Sequence, residues 1–270
     1  MIEVDDKLLD SIITLAEQAG EKILEIYETD YAIEHKEDET PLTEADMAAH
    51  HFIETGLQAL TPEVPILSEE SADIPFETRQ QWQCYWLVDP LDGTREFIKR
   101  NGEFSVNIAL VENGKAILGV VYAPVMRTSY YARSGAGAFK REPGRETVPM
   151  QCHSPARDKV IVAGSRSHRG ASLNAFLEKL ADYEIISMGS ALKSCLVAEG
   201  VVDVYPRLGP TSEWDTAAAQ CVVEEAGGRL TDTNMDTLLY NTKDSLLNPH
   251  FFVSGDPARD WSVYLDKETD

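Results

Sequence analysis

Cysteine is scarce in this chain and follows no pattern. The 270 residues include four, Cys84, Cys152, Cys195 and Cys221. No two stand in a C-x-x-C spacing, so neither a disulfide framework nor a zinc finger is expected. Cys195 and Cys221 lie in apolar runs and are expected as buried thiols. Basic residues are scarce as well: 24 Lys and Arg against 46 Asp and Glu give a formal net charge of −22. A surface of that sign repels a nucleic-acid duplex and an anionic membrane, which excludes nucleic acid as an expected partner. No stretch approaches the ~20 consecutive apolar residues of a transmembrane helix. The opening MIEVDDKLLD has no basic region followed by an apolar run, so no secretory signal is read there. The expected location is the cytoplasm. Internal repeats and low-complexity segments are also missing.

What the chain does have is enough apolar content to fold. Hydrophobic residues make up 43% and charged residues 26%, the balance of a chain that buries a core. Leu8, Leu9, Ile12, Ile13, Ala16, Ala19, Ile23 and Tyr27 recur at three- and four-residue steps and predict an amphipathic first helix. Residues 34–41 carry charge without an apolar period and read as a loop, with Lys36 to Pro41 a candidate lid. Thr43-Glu-Ala-Asp46 reads as a capping box opening a second helix. Tyr85 to Val88 is a short apolar run that stops at Asp89-Pro90, as a buried strand does at a site. Phe104 to Leu110 and Ala116 to Tyr122 flank Asn113-Gly114, a hairpin signal. The charged, Pro-containing stretch Arg141 to Pro155 is the expected boundary between an N-terminal lobe, 1–155, and a C-terminal lobe, 156–270. Beyond it come a strand at 160–163, a helix at 171–181, a helix at 190–198 and a strand at 201–205. A last helix at 214–226 is stopped by Gly227-Gly228. Helices and strands mix throughout, so the class is α+β or α/β with layered sheets.

Acidic residues recur where these elements end. Asp89-Pro-Leu-Asp92-Gly93-Thr94 closes an apolar strand. An Asp-Gly turn alone is ordinary, but two carboxylates three residues apart, with the Leu91 carbonyl between them, suit a hard cation that prefers oxygen ligands. Gly93 lets the backbone approach a ligand closely, and Thr94 offers a hydroxyl and an N–H where a helix begins. Glu69 follows another apolar run, and Asp215 stands at the start of the last helix. Taken singly, Asp46 and Asp215 read as helix-capping residues. Four segments each delivering a carboxylate to one place could stay ionised only with cations present. Those cations would also make the site attractive to phosphate despite the charge of the chain.

Leu67-Ser-Glu-Glu70, Trp86-Leu-Val-Asp-Pro-Leu-Asp-Gly-Thr94 and Trp214-Asp-Thr-Ala-Ala218 resemble the signatures of the lithium-sensitive, Mg²⁺-dependent phosphatases, the superfamily of inositol monophosphatase and fructose-1,6-bisphosphatase. The resemblance runs from the first helix to Asn248-Pro249. Within the superfamily, the run from Trp86 to Pro124 looks closest to the bacterial 3′(2′),5′-bisphosphate nucleotidases. The resemblance implies a layered α-β-α-β-α sandwich and two or three Mg²⁺ ions held by Glu69, Asp89, the Leu91 carbonyl, Asp92 and Asp215. It implies catalytic roles for Asp46, Thr94 and Glu69 around the attacking water. The partner it implies is a small-molecule nucleotide bisphosphate, bound by Gly93, Thr94, Ser165, His168, Gly189, Ser190, Lys193 and Arg207. It implies hydrolysis of the 3′-phosphate of adenosine 3′,5′-bisphosphate in sulfate assimilation. Peripheral attachment to the cytoplasmic face of the inner membrane occurs in this branch and has no signal in the sequence. The metal residues alone leave open an inositol or sugar monophosphatase with the same metal site.

Overall fold

The computed structural model describes residues 2–29, 40–164 and 171–266. Helix α1 (Asp6–Tyr27) begins where the Asp5 carboxylate accepts a hydrogen bond from the Leu8 N–H at 2.8 Å. Six of its eight predicted apolar positions are buried, Ile12, Ile13, Ala16, Ala19 and Ile23 fully so, while Leu8 and Tyr27 are partly buried. Helix α2 (Thr40–Leu60) starts four residues earlier than the Thr43 cap predicts. Thr43 therefore lies inside the helix, and Pro41 occupies its first turn, where a missing N–H costs nothing. The rest of the predicted loop and lid, 34–39, lies outside the described residues.

Strand β1 (Ile66–Ser68) is followed by a 3₁₀ turn, Glu69–Ser71, and the one-turn helix α3 (Phe76–Arg79). Strand β2 (Cys84–Asp92) does not stop at Asp89. It pairs Asp89 with Asn107 and Asp92 with Ser105 on β3 (Ser105–Glu112), so three steps on β2 match two on its partner. That extra residue is a β-bulge around Pro90 and Leu91, a device that re-aims side chains at sites. The sequence signal of a strand end was in fact this bulge. Short helix α4 (Thr94–Ile98) follows, with Gly93 before it at φ 99°.

Asn113 and Gly114 take φ of 50° and 80° and turn the chain from β3 into β4 (Lys115–Ala123), as their pair predicts. Strands β5 (Thr128–Arg133), β6 (Ala138–Arg141) and β7 (Val148–Met150) continue the meander. They complete a seven-stranded sheet in sequence order, parallel only between β1 and β2. The stretch expected to separate two lobes thus contributes β7 and the end of β6 to this sheet.

The second sheet has the order β11-β12-β10-β8-β9. Its strands are β8 (Val160–Gly164), β9 (Tyr183–Ser187), β10 (Val204–Arg207), β11 (Arg229–Asp232) and β12 (Phe251–Ser254). Strand β10 begins three residues later than its apolar run suggests. Val202 and Asp203 instead serve the turn before it, where Asp203 Oδ2 accepts from the Ile161 N–H at 2.7 Å. Helices α5 (Ala171–Leu180), α6 (Leu192–Ala198) and α7 (Ala217–Glu225) alternate with these strands. A 3₁₀ turn, Glu213–Asp215, precedes α7, so Asp215 stands on that turn and not in the helix itself. Gly227, at φ 89°, stops α7 as predicted.

Alternation along the strands gives the layers. Trp86, Val88, Ile108, Leu118 and Val120 face α1 and α2, whereas Tyr85, Leu87, Ala109, Val111 and Val121 face α6 and α7. On the second sheet, Ala163, Tyr205, Phe251 and Val253 join that central core, while Val160, Val162, Val204 and Phe252 pack beneath α5. The result is the layered α-β-α-β-α sandwich. Helix α7 lies directly on β4, because a Cβ at Gly119 would come within 2.2 Å of the Ala218 carbonyl oxygen. Among the described residues, no helix is long and apolar enough to cross a membrane. Cys152, Cys195 and Cys221 are buried free thiols, and Cys84 is half-buried and free.

Candidate active site

The bulge in β2 and the turn before α7 bring three aspartates together. One carboxylate oxygen from each of Asp89, Asp92 and Asp215 lies within 4.8 Å of the other two. Each is fixed from behind. Asp89 Oδ1 accepts from the Leu91 N–H at 3.0 Å, and Asp92 Oδ2 from the Ala191 N–H at 2.6 Å. Asp215 Oδ2 accepts from the Ser212 N–H at 2.9 Å, in a reciprocal capping box of the 3₁₀ turn. Glu69 lies against Asp89 and Trp214. Asp46, buried on α2, faces Glu70.

This crowd of carboxylates holds its protons tightly. Asp46 is pushed up to about 8, first by burial and then by Glu70. Glu69 is raised to about 7 by desolvation on its protein side, then by Glu70 and Asp92, although its outer side stays open to solvent. Asp92 rises to about 7 and Asp215 to about 6, burial again leading, and buried Asp89 rises well above the ordinary range. All the donors are hard oxygens, and Asp46 Oδ1 is buried with no hydrogen-bond partner among the described residues. These residues fit a divalent cation, which would supply the charge that the cluster lacks.

Beside the aspartates opens a cleft of about 370 Å³, lined among others by Gly93, Thr94, Gly189, Ser190, Lys193 and Arg207. That size falls within the roughly 300–1,000 Å³ of small-molecule sites. Lys193 is no solvated helix residue: it is buried, its Nζ donates to the Ser190 carbonyl at 2.7 Å, and it lies 5.3 Å over the Tyr205 ring. Burial lowers its ammonium to about 8, although Asp92 opposes the shift. Arg207 donates to the Pro210 carbonyl at 2.8 Å, and its buried Nε has no partner among the described residues. The wall therefore carries two cations next to the anionic cluster. Ser190 reaches φ 45° just before α6, and its hydroxyl meets that of Ser105 at 3.0 Å. Ser165 and His168 lie outside the described residues.

The Inositol monophosphatase family matches residues 5–256. The chain belongs to that family. It is 50% identical over 251 residues to the 3′(2′),5′-bisphosphate nucleotidase CysQ of Escherichia coli strain K12, covering 92% of this chain and 99% of that one. It is 41% identical over 263 residues to the protein of the same name from Haemophilus influenzae, covering 97% of each. The crystal structure of CysQ from Bacteroides thetaiotaomicron, itself a bacterial member of the family, is similar with a TM-score of 0.83 at 42% identity, over 92% of this chain and 97% of that chain. An inositol monophosphatase from Zymomonas mobilis shares the fold, with a TM-score of 0.77 at 24% identity over 97% and 99% of the two chains.

Several groups behind the site escaped the sequence reading. Ser105 and Asn107 alternate on β3, and Asn107 Nδ2 reaches Asp92 Oδ2 at 3.5 Å. Two polar residues at period two in an apolar strand are the signal for such a pair. Glu70, which stands in the Leu67–Glu70 signature, has no role in the sequence reading, yet it faces Asp46. Asn248 was read only as the end of the resemblance. Its Nδ2 donates to the Ser212 carbonyl at 2.6 Å and to the Thr216 and Thr211 hydroxyls at 3.1 and 3.2 Å. One side chain thus ties both ends of the turn that carries Asp215. Asn248→Ala is expected to raise the divalent-cation concentration for half-maximal activity by about tenfold, the usual scale for loss of a group that orients a ligand. A Mg²⁺ titration of activity checks this, and an unchanged requirement would leave Asn248 a role in folding alone.

Proposed function

We propose that the protein is a Mg²⁺-dependent 3′(2′),5′-bisphosphate nucleotidase. It hydrolyses the 3′-phosphate of adenosine 3′,5′-bisphosphate to give AMP and phosphate, with the activated sulfate donor as a second substrate. The observation that carries the reading is Lys193 and Arg207 lining the same cleft as Asp92 and Asp215. A substrate with a second phosphate needs positive charge beside the metal cluster, and this acidic chain supplies it there. Full-length likeness to bisphosphate nucleotidases at about half identity supports the same reading. The four free cysteines suit the reducing cytoplasm, where the by-product of sulfate assimilation would be cleared.

Unaided hydrolysis of a phosphate monoester is so slow that enzymes must supply up to ~10²¹-fold, roughly 29 kcal/mol at ~1.36 kcal/mol per decade. Glu69, Asp89, the Leu91 carbonyl, Asp92 and Asp215 would hold two or three Mg²⁺ ions. When bound, these supply a more acidic water and neutralise charge on the transferring phosphoryl group and the leaving oxygen. The rest falls to the chain. The bulge around Leu91 frees its carbonyl from strict ladder pairing. Asp46 and Thr94 orient the attacking water, and Asp46 takes up its proton. The N–H groups at Gly93 and Thr94, where α4 opens, receive the equatorial oxygens. Lys193, Arg207, Gly189 and Ser190 hold the nucleotide and its second phosphate, with Ser165 and His168 completing the set.

The test is a substrate panel with Mg²⁺. The expected kcat/KM for adenosine 3′,5′-bisphosphate exceeds that for inositol 1-phosphate by about a hundredfold or more, the scale of a lost charged contact. Lithium is expected to inhibit both reactions. Equal values, or a preference for the inositol phosphate, would make the protein a monophosphatase of the wider family.

A further inference from the structure

Behind the catalytic centre, one turn of α2 beyond Asp46, lies a second group of metal-ligating side chains that the proposed reaction does not use. His50 is only 5% exposed, and its Nδ1 meets the Ser68 hydroxyl at 3.0 Å. With Nδ1 as donor in that contact, the lone pair sits on Nε2. This nitrogen faces Glu54 Oε2 at 3.8 Å, too far for a hydrogen bond. The exposed His51 ring stands 5.2 Å from the His50 ring, centroid to centroid. One ligand atom from each of the three residues lies within 4.8 Å of the other two.

We propose that His50, His51 and Glu54 form a second cation site, one that takes a borderline transition-metal ion such as Zn²⁺ instead of Mg²⁺. The donor set decides the class of ion. Two imidazole nitrogens and a carboxylate suit zinc and its neighbours, while Mg²⁺ prefers oxygen alone. The geometry is close to what is needed. Zinc bonds of about 2.0–2.1 Å in a tetrahedron separate ligand atoms by roughly 3.3 Å. The remaining gap of at most about 1.5 Å is within rotamer reach of His51 and Glu54, which stand at the surface. His50 need not move. The Ser68 contact holds its ring in place, and with Nδ1 as the donor it leaves Nε2 free for the ion, as an outer hydrogen bond does for most metal-bound histidines. The net charge of −22 raises the concentration of divalent cations near the whole surface. An ion held here would be joined through His50 to Ser68, the residue before Glu69, and would clamp α2 to the end of β1.

The experiment is a calorimetric titration of Zn²⁺ into the full chain in millimolar Mg²⁺, for the native protein and for His51→Ala and Glu54→Gln. It is accompanied by ¹⁵N spectra of the histidine rings. The native protein is expected to bind one Zn²⁺ more than either variant, or to bind it about tenfold or more tightly. The His50 Nε2 resonance is expected to move only in the native protein. Mg²⁺-supported turnover is expected to match in all three. Identical stoichiometry and affinity across the three proteins, or a stationary His50 resonance in the native one, would overturn the site and assign any bound zinc to the carboxylates.

Discussion

Asp92→Asn is expected to lower Mg²⁺-dependent phosphate release by about a thousandfold, some 4 kcal/mol at ~1.36 kcal/mol per decade, while the chain still folds. Asparagine keeps the size of the side chain, and its carbonyl oxygen can still accept the Ala191 N–H that now ends on Oδ2. What it loses is one of three negative charges converging within 4.8 Å. The effect should therefore fall on metal binding and turnover and spare the core. Phosphate release in saturating Mg²⁺, read beside circular dichroism and thermal unfolding, separates the two. Activity near the native level would mean that the ions, if any, are held elsewhere.

The second large effect is on stability, and it reverses with metal. Asp46, Glu69, Asp92 and Asp215 hold their protons up to about 8, 7, 7 and 6 in the folded chain. In the unfolded chain such groups ionise near 4. Between about pH 4 and 8 the folded state therefore binds more protons than the unfolded state. Stability from these groups is complete below pH 4 and is lost as the pH rises through 6 to 8. Without metal, the unfolding temperature is expected to fall by several degrees from pH 5 to pH 8, at about 2–4 °C per kcal/mol for a chain of this size. A divalent cation held by these carboxylates would replace the missing protons, so Mg²⁺ is expected to restore more stability at pH 8 than at pH 5. Asp92→Asn should flatten the metal-free slope. Thermal unfolding in chelator and in Mg²⁺ across that range checks all three points, and a metal-free protein that gains stability toward pH 8 would contradict the crowded-carboxylate account.

Local chemistry was readable where one segment carries it. The stripe on α1, the Asn113-Gly114 turn and the stop at Gly227 need nothing beyond their own neighbours, and each was legible. The start of α2 was not, because Thr40-Pro41 sits in a charged stretch whose lack of apolar period hid the first helical turn. The end of β2 misled for a different reason. A bulge and a strand end both interrupt an apolar run, and only the pairing with β3 tells them apart. In the site, Asp89, Asp92 and Asp215 were legible as acids at expected element ends, and the fold brings them together although Asp89 lies within β2. Groups that act through geometry left little trace. The Ala191 N–H has no side-chain signature, and Asn248 becomes meaningful only when a distant loop lies against the Asp215 turn. Lys193 sits at a helix position that the residues alone, without the family resemblance, assign to a solvated face.

The contact at Gly119 carries a lesson about distance. Helix α7 rests there on bare main chain, with Ala218 directly above the strand. The 3₁₀ turn that presents Asp215 immediately precedes this helix, so its height over the sheet is set by a shim one hydrogen thick. A methyl group at 119 would lift the helix and tilt the turn with it, prising Asp215 away from the two aspartates on β2. The spacing of the three carboxylates is thus expected to depend on a strand residue that bears no side chain.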